Sequence, residues 1–202
     1  MIEYRNIIRY DDISFREYLN LNGRSHSSLK NNINGVKEAI TITENIRIGS
    51  LVDGILTDKK AVDYSDELYP YAKSLAFEIK NFFGDHICVL KSQVSYTGEI
   101  SCSEFSMTVK GRLDFLLEDI ATLDIKITKS KAIDTLIEYM GYENQLWHYS
   151  KLAKTPKAYL IIYSIPLKKV IVKSVDVSSN TNFFWENKII DFGIVEENHV
   201  ND

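Results

Sequence analysis

The segment KGRLDFLLEDIATLDIKIT, from Lys110 to Thr128, constrains the fold of this chain more than any other stretch. Its density of apolar residues predicts two strands, Val109–Leu117 and Ile120–Ile127. A short turn at about Glu118–Asp119 separates them, so the two strands should pair as a β-hairpin. The fold must therefore contain a sheet with this hairpin near its core.

Two acids and one lysine lie within the predicted hairpin. Alternate side chains of a strand point to the same face, so Asp124 and Lys126 share a face, and hairpin pairing can bring Asp114 close to them. Two carboxylates beside an ammonium group form a hard-oxygen metal site, as phosphodiester hydrolysis requires. Exposed strands also alternate acids and bases by chance. However, the apolar flanks place these acids near a core, where an unpaired charge is costly, and this favours a functional role.

The chain has 202 residues, enough for one α/β domain, 1–202, with a substantial core. No apolar run approaches the roughly 20 residues that span a membrane, and the N-terminus is too charged for a signal peptide, so we expect a cytoplasmic protein. Cys88 and Cys102 are too few for a four-cysteine zinc or iron–sulfur site. They fall in strand-like segments, and buried free thiols are expected.

The net charge of −4 argues against a protein that grips a long nucleic acid with its whole surface. Any DNA contact should be local. Basic residues do cluster near the acids, and the cluster is compatible with a nearby phosphate backbone. Its members are Lys110, Arg112, Lys126, Lys129 and Lys131. For Lys129 and Lys131, ordinary solvated lysines are an equally good interpretation.

The remaining elements are predicted from periodicity and from cap and breaker residues. Helices are predicted at Ser14–Asn20, Ser25–Asn32, Ile46–Leu56, Ser65–Phe83, Ser130–Ala153 (with an interruption near Gly141) and Asn182–Ile190. Strands are predicted near the N-terminus and at Ile87–Tyr96, Ile100–Thr108, Lys157–Ile165 and Lys169–Val177. The order of elements indicates an α/β (α+β) fold with a central mixed sheet flanked by helices.

A second group of candidate residues lies on the helix that follows the hairpin. Offsets of three and four place Tyr142, Gln145 and Tyr149 on one face. This polar, aromatic face could bind phosphate oxygens and orient Lys126. The alternative is a core helix whose tyrosine rings point inward, but the amide of Gln145 between them favours function.

A third feature is Gly49-x-x-x-Asp53 in the segment IGSLVDGILT. The glycine could permit close approach to a sheet or a phosphate. The aspartate could extend a carboxylate into a metal site. A surface aspartate on an amphipathic helix is the alternative, although the apolar neighbours of Asp53 disfavour it.

Taken in order, five short motifs resemble the PD-(D/E)XK nuclease superfamily, and the nearest likeness is to the exodeoxyribonuclease VIII-like proteins of phages and prophages. The motifs are Ser25–Lys30, Gly49–Asp53, Lys110–Asp114, Asp124–Lys126 and Tyr142–Tyr149. The resemblance implies a restriction-endonuclease-like fold. It also implies a metal-dependent DNA exonuclease acting on double-stranded ends in phage or prophage recombination, with a single-strand annealing protein as a candidate partner.

The resemblance also implies roles for individual residues. Asp53, Asp114, Asp124 and the backbone carbonyl of Ile125 would bind Mg²⁺ or Mn²⁺. Lys126 would position or deprotonate the attacking water.

Gln145 and Tyr149 would support the lysine and the DNA backbone. Arg112, Lys129 and Tyr142 are the candidate DNA-binding residues. A small-molecule enzyme is disfavoured, because the sequence has neither a glycine-rich phosphate loop nor a nucleophile elbow.

One departure from the family pattern is Gln93, at a position where relatives often have glutamate. Its lack of charge could weaken a metal site or shift ligand duty to Glu99 or Glu104. A non-catalytic member of the fold that binds DNA or a partner is therefore the alternative function. The sequence does not specify the oligomeric state.

Overall fold

The computed structural model describes residues 2–34, 43–57, 62–175, 177 and 186–193. The strands are β1 (Glu3–Tyr10), β2 (Arg24–Ser25), β3 (Lys91–Ser101), β4 (Ser106–Leu117), β5 (Ala121–Thr128), β6 (Lys157–Ser164) and β7 (Lys169–Val175). The helices are α1 (Phe15–Asn20), α2 (His26–Ile33), α3 (Glu44–Thr57), α4 (Tyr69–Phe83), α5 (Ile133–Met140), α6 (Tyr142–Ala153) and α7 (186–193), with a 3₁₀ helix at Gly84–Val89.

All seven strands form one mixed sheet in the order β1-β3-β4-β5-β6-β7, and the two-residue β2 pairs with β4. The pairs β5–β6 and β2–β4 are parallel, and the other pairs are antiparallel. A parallel pair needs a crossover connection, which α5 and α6 supply between β5 and β6. The predicted α/β class, with a mixed sheet flanked by helices, is confirmed.

The β4–β5 hairpin opens toward its far end. Its turn closes with a hydrogen bond from Ile120 N to Leu117 O of 3.0 Å. Only three residue pairs follow in the ladder, and the last is Phe115 with Leu123. Beyond that pair β5 continues along β6, while β4 continues along β3. The strands therefore separate at the level of Asp114 and Asp124, which leaves room there for side chains.

Helices cover both faces of the sheet. On one face α6 and α2 pack Trp147, Leu146 and Leu29 against the sheet. On the other face α3 and α4 pack Ile48 and Ile79 against it. The central strands are accordingly apolar on both sides, as β6 illustrates with its run of buried residues from Leu160 to Tyr163.

Three boundaries predicted among the strands are wrong. The predicted break between Tyr96 and Ile100 does not occur, because β3 runs unbroken from Lys91 to Ser101. The predicted break between Thr108 and Val109 does not occur, because β4 runs unbroken from Ser106 to Leu117. The reversal lies earlier, at Cys102–Phe105, where Cys102 N donates to Phe105 O at 3.0 Å. The start of the predicted strand Ile87–Tyr96 is instead the 3₁₀ helix.

The predicted helices agree better with the structure. Ser25 caps α2, and its Oγ accepts a hydrogen bond from Ser28 N at 3.2 Å. Gly141, with φ of 66°, separates α5 from α6 at the predicted interruption. The helix predicted from Ser65 begins at Tyr69, with Pro70 in its first turn, where a missing N–H is harmless. For the last predicted helix, residues 178–185 lie outside the described part of the chain, and 186–193 are helical.

The expectation of buried thiols is wrong. Cys88 is exposed on the 3₁₀ helix, and Cys102 is half-buried at the β3–β4 turn. Both lie where strands end rather than within them. In the part of the chain that the structure describes, no helix has the length and apolar character needed to cross a bilayer.

Candidate active site

Asp114 and Asp124 meet where β4 and β5 separate. Asp124 is buried, with 2% of its surface exposed, and Asp114 is half-buried. The two carboxyl groups are close enough to interact directly. Asp114 is also fixed by the next strand, because its Oδ2 accepts a hydrogen bond from Ile125 N at 2.8 Å. The splayed hairpin thus presents two carboxyl groups side by side at the edge of the core.

Lys126 lies against this pair. Its ammonium group forms an ion pair with Asp124 Oδ2. It also lies 5.4 Å from the ring centroid of Tyr142, a distance typical of a cation–π contact. Burial alone would lower the pKa of Lys126, but the attraction of Asp124 and Asp114 outweighs it and raises that pKa above its usual value. Lys126 is therefore held as a cation beside the acids.

The pKa of Asp124 is raised from 3.8 to about 7. Burial is the largest cause, the Lys126 charge offsets part of it, and the neighbouring Asp114 raises the pKa further. The Lys126 ammonium group therefore does not fully compensate the burial of Asp124 next to Asp114. The pair retains an electrostatic preference for a further cation.

Asp53 reaches the site from α3, on the face of the sheet that α3 and α4 cover. Its Oδ1 accepts a hydrogen bond of 2.8 Å from Gln93 Nε2. Gln93 Oε1 in turn accepts one of 2.7 Å from Arg112 Nε. Arg112 is buried, and it also donates to Ser95 Oγ at 3.1 Å and to Ile13 O at 3.2 Å. A continuous chain of hydrogen bonds thus links Asp53 to the interior of the sheet.

Two clefts meet at these acids, and Phe15, Asp53 and Asp114 line both of them. The larger, of about 760 Å³, continues along Lys126, Gly49 and the start of α6. The smaller, of about 290 Å³, contains the following side chains besides the shared ones: Tyr18, Leu19, Ser25, Ser27, Gln93, Lys110, Arg112 and Tyr149. A chain-like ligand lying across both clefts would pass Asp53 and Asp114, with Asp124 buried next to Asp114.

The three predicted residues of α6 occupy different positions. Tyr149 is buried, and Gln145 Nε2 donates to its hydroxyl at 2.9 Å. The ring of Tyr149 packs on β4 so closely that a Cβ on Gly111 would lie 3.0 Å from it. The contact to Lys126 comes from Tyr142 rather than from this pair. Tyr149 thus packs inward, whereas Tyr142 lines the larger cleft.

The basic cluster divides into internal and surface residues. Lys110 Nζ donates to the carbonyls of Leu19 and Leu21, at 2.9 and 2.8 Å, and so holds the end of α1. Lys129 is exposed and pairs with Glu44 at 3.2 Å. Arg112 lies at the floor of the smaller cleft, where its Nη2 is buried without a hydrogen-bond partner among the described residues.

The oxygen donors fit a magnesium-type ion. Among the residues that the structure describes, no group of three or more His, Cys, Asp or Glu side chains has the spacing of a metal site. Magnesium, however, is usually bound through one or two carboxylates with water completing its shell. Asp114 and Asp124 supply such a pair, and Ile125 and Asp53 line the adjoining cleft. The paired carboxylates therefore fit an ion of this type, and Asp53 lies in the cleft beside Asp114.

Several residues of the site were not predicted from sequence. Phe15 and Tyr18 lie near the Arg112 guanidinium, at 5.9 and 5.8 Å from ring centroid to Cζ. A short N-terminal helix gives no sequence signal that it will cover a site. Ser27 could have been recognised, since it belongs to the serine-rich motif that opens α2.

Comparisons with known proteins agree with this architecture. No protein-family model matches the sequence, and no curated protein matches it significantly. Among solved structures, a putative exonuclease from Eubacterium rectale matches with a TM-score of 0.52 and 16% identity, over 84% of this chain and 70% of that one.

Two further exonuclease structures match less closely. An alkaline exonuclease from Laribacter hongkongensis is 13% identical over 92% of this chain and 94% of that one, with a TM-score of 0.48. A phage-related exonuclease from Haemophilus somnus is 13% identical over 88% and 94%, with a TM-score of 0.46. The fold of this chain is thus similar to that of the putative exonuclease from Eubacterium rectale, and the nuclease-like α/β fold that the sequence resemblance predicts is confirmed.

Proposed function

We propose that this protein is a metal-dependent DNA exonuclease. One observation carries the proposal: Asp114 and Lys126 line one cleft, and Asp124 is buried directly beside both of them. The exonuclease-like fold is consistent with it. A buried acid with a half-buried acid and a half-buried lysine beside it has little structural purpose where a sheet opens, because removing charged groups from water is costly.

We assign metal binding to the paired acids. Asp114, Asp124 and the Ile125 carbonyl would hold Mg²⁺ or Mn²⁺, and Asp53 would complete the site from α3. Such an ion activates water and stabilises the leaving oxygen of a phosphodiester.

Lys126 would position the attacking water and neutralise charge that develops on the phosphate. Its ion pair with Asp124 and its contact with Tyr142 keep the ammonium group in the cleft. Its raised pKa keeps it protonated, so it acts as a cation and a hydrogen-bond donor rather than as a base.

DNA contacts are assigned to both clefts. Tyr142 lines the larger one, the exposed Lys129 follows Thr128 at its edge, and Arg112 lines the smaller one. Gln145 and Tyr149 would support this wall rather than contact Lys126. All these contacts are local, as the net charge of −4 requires.

The proposed setting is a cytoplasmic role in phage or prophage recombination on double-stranded DNA ends, with a single-strand annealing protein as partner. This part rests on the resemblance of the five sequence motifs, together with the exonuclease-like fold.

The proposal is tested by digesting end-labelled duplex DNA in Mg²⁺, in Mn²⁺ and in EDTA. Wild type should release labelled nucleotides with either ion and none with EDTA. Asp124→Asn, which keeps the side-chain volume, should be inactive throughout. Absence of digestion by folded wild type under every ion would refute the nuclease function.

A non-catalytic DNA-binding or partner-binding protein is the second candidate. The observation that favours it is the uncharged Gln93 at the site where a further acid would strengthen metal binding. Calorimetry with Mn²⁺ distinguishes the two, because a nuclease must bind the ion at the acids, whereas a binding module should bind DNA equally well in EDTA.

A further inference from the structure

Gln93 has an unusual backbone conformation for a residue within a strand. Its φ is 54°, in the left-handed region that costs a non-glycine residue about 1 kcal/mol or more. The β3–β4 ladder pairs Ser92 with Phe115 and Val94 with Leu113 but omits Gln93 and Asp114. The irregularity therefore lies directly opposite one of the paired acids. Strain that persists at such a place suggests that the side chain is needed there.

The side chain of Gln93 can adopt only one amide orientation. Arg112 has donors and no acceptors, so the atom facing its Nε must be the amide oxygen, at 2.7 Å. The amide nitrogen then faces Asp53 Oδ1, at 2.8 Å. Only 4% of Gln93 is exposed, so water cannot easily replace either bond. Arg112 thus fixes the amide, and the amide fixes one oxygen of Asp53.

A carboxylate at this position would behave differently. It would pair with Arg112 but would repel Asp53 instead of donating to it. Glutamine is the residue that satisfies a buried arginine on one side and a carboxylate on the other.

We infer that Gln93 is a positioning residue for the metal site: its amide holds Asp53 Oδ1 so that the second oxygen of Asp53 faces the paired acids. This inference rests on the proposed function, since it presumes that the acids bind a divalent ion. Gln93 itself is not a ligand. Its side chain adds no negative charge to the site, and its amide is held in place by the buried Arg112.

Two substitutions distinguish the effect of the Gln93 amide on metal binding from the effects of backbone strain and of side-chain volume. Gln93→Gly removes the amide and also relieves the left-handed strain. Gln93→Met removes the amide but retains most of the volume and the strain. Both should weaken Mn²⁺ binding, measured by calorimetry without DNA, by roughly 10- to 100-fold, the usual effect of losing a partner that orients a ligand.

A control glycine substitution is available at Asp119, which has φ of 56° and is exposed in the β4–β5 turn. Asp119→Gly should leave Mn²⁺ affinity unchanged. Thermal melting without metal establishes that each variant is folded.

A double-mutant cycle tests whether Gln93 acts through Asp53. In an Asp53→Asn background, Gln93→Gly should reduce Mn²⁺ affinity no further, because the oriented carboxylate is already lost. Equal losses in both backgrounds would overturn the inference. Wild-type Mn²⁺ affinity in either of the two Gln93 variants would also overturn it.

Failure of the inference and failure of the function give different results. If wild type binds Mn²⁺ and digests DNA while the Gln93 variants retain full affinity, only the positioning role is refuted. If wild type binds no Mn²⁺, both are refuted.

Discussion

Two buried histidines behind the site should make the protein sensitive to mild acid. The Nδ1 atom of His148 forms a hydrogen bond of 2.7 Å with the Tyr4 hydroxyl. The centroid of the His26 ring lies 6.2 Å from that of the His148 ring. Burial lowers the pKa of His148 from 6.5 to about 4 and is the main reason why that of His26 falls to about 3. Both rings are therefore neutral in the folded protein well below the pH at which they gain a proton in the unfolded chain.

The sign and size of the effect follow from proton linkage. Groups whose pKa is lowered by folding stabilise the protein above pH 6.5, and this stability is lost as the pH falls toward 4. From pH 7 to pH 5 each histidine should cost about 2 kcal/mol of the free energy of unfolding. Asp124, whose pKa is raised to about 7, acts in the opposite direction over the same interval and should add about 2 kcal/mol. The expected net loss is about 2 kcal/mol.

The matched perturbation is His148→Asn, whose amide oxygen can replace the ring nitrogen facing Tyr4. The variant loses one titrating group, so its free energy of unfolding should differ between pH 7 and pH 5 by about 2 kcal/mol less than that of wild type. Urea denaturation in EDTA at the two pH values measures both. His86→Asn is the control substitution, because His86 is exposed rather than buried. Identical pH dependence in wild type and His148→Asn would refute the reasoning.

Two further predictions follow from the site and its packing. Lys126→Ala should reduce DNA turnover by roughly 100-fold or more while Mn²⁺ affinity stays equal or rises, because a competing cation is removed from the acids. Digestion assays measure the turnover and calorimetry measures the affinity, with Lys157→Ala on the exposed start of β6 as the control. A parallel loss of Mn²⁺ affinity would contradict the role assigned to Lys126. Gly111→Ala should lower the free energy of unfolding by about 1–3 kcal/mol in urea denaturation, because its Cβ would lie 3.0 Å from the Tyr149 ring. Gly49→Ala, whose Cβ meets nothing within 4 Å, should be neutral or stabilising, and equal destabilisation by the two alanines would contradict the packing argument.

The sequence predicts the parts of the site that depend on local periodicity. Alternation within β5 places Asp124 and Lys126 on one face, and the short turn brings Asp114 back toward them. The helical offset likewise places Asp53 on the side of α3 that lines the cleft. These relations hold because each depends on residues within one hairpin or one helix.

Contacts between distant segments could not be predicted in the same way. The Gln93 amide joins Asp53 and Arg112 only because β3 adopts a left-handed residue opposite Asp114. Lys110 resembles a phosphate-binding lysine in sequence, but its ammonium group holds the end of α1. In both cases the partner is fixed by tertiary packing, so composition and spacing carry no signal of it.

The break between strands was misplaced for a related reason. The residues around Thr108 and Val109 contain no turn signal, whereas the polar stretch at Cys102–Phe105 does reverse the chain. The residues on both sides of Thr108 and Val109 belong to one long strand, β4, so no break occurs there.

The most direct test of the central claim compares linear duplex DNA with covalently closed circular duplex DNA in Mn²⁺. We predict that wild type degrades the linear form from its ends and leaves the circle intact, and that Asp124→Asn, at equal concentration and confirmed as folded, degrades neither. Degradation of linear DNA by Asp124→Asn at the wild-type rate would contradict the assignment of the paired acids. Cleavage of the closed circle by wild type would contradict the exonuclease assignment.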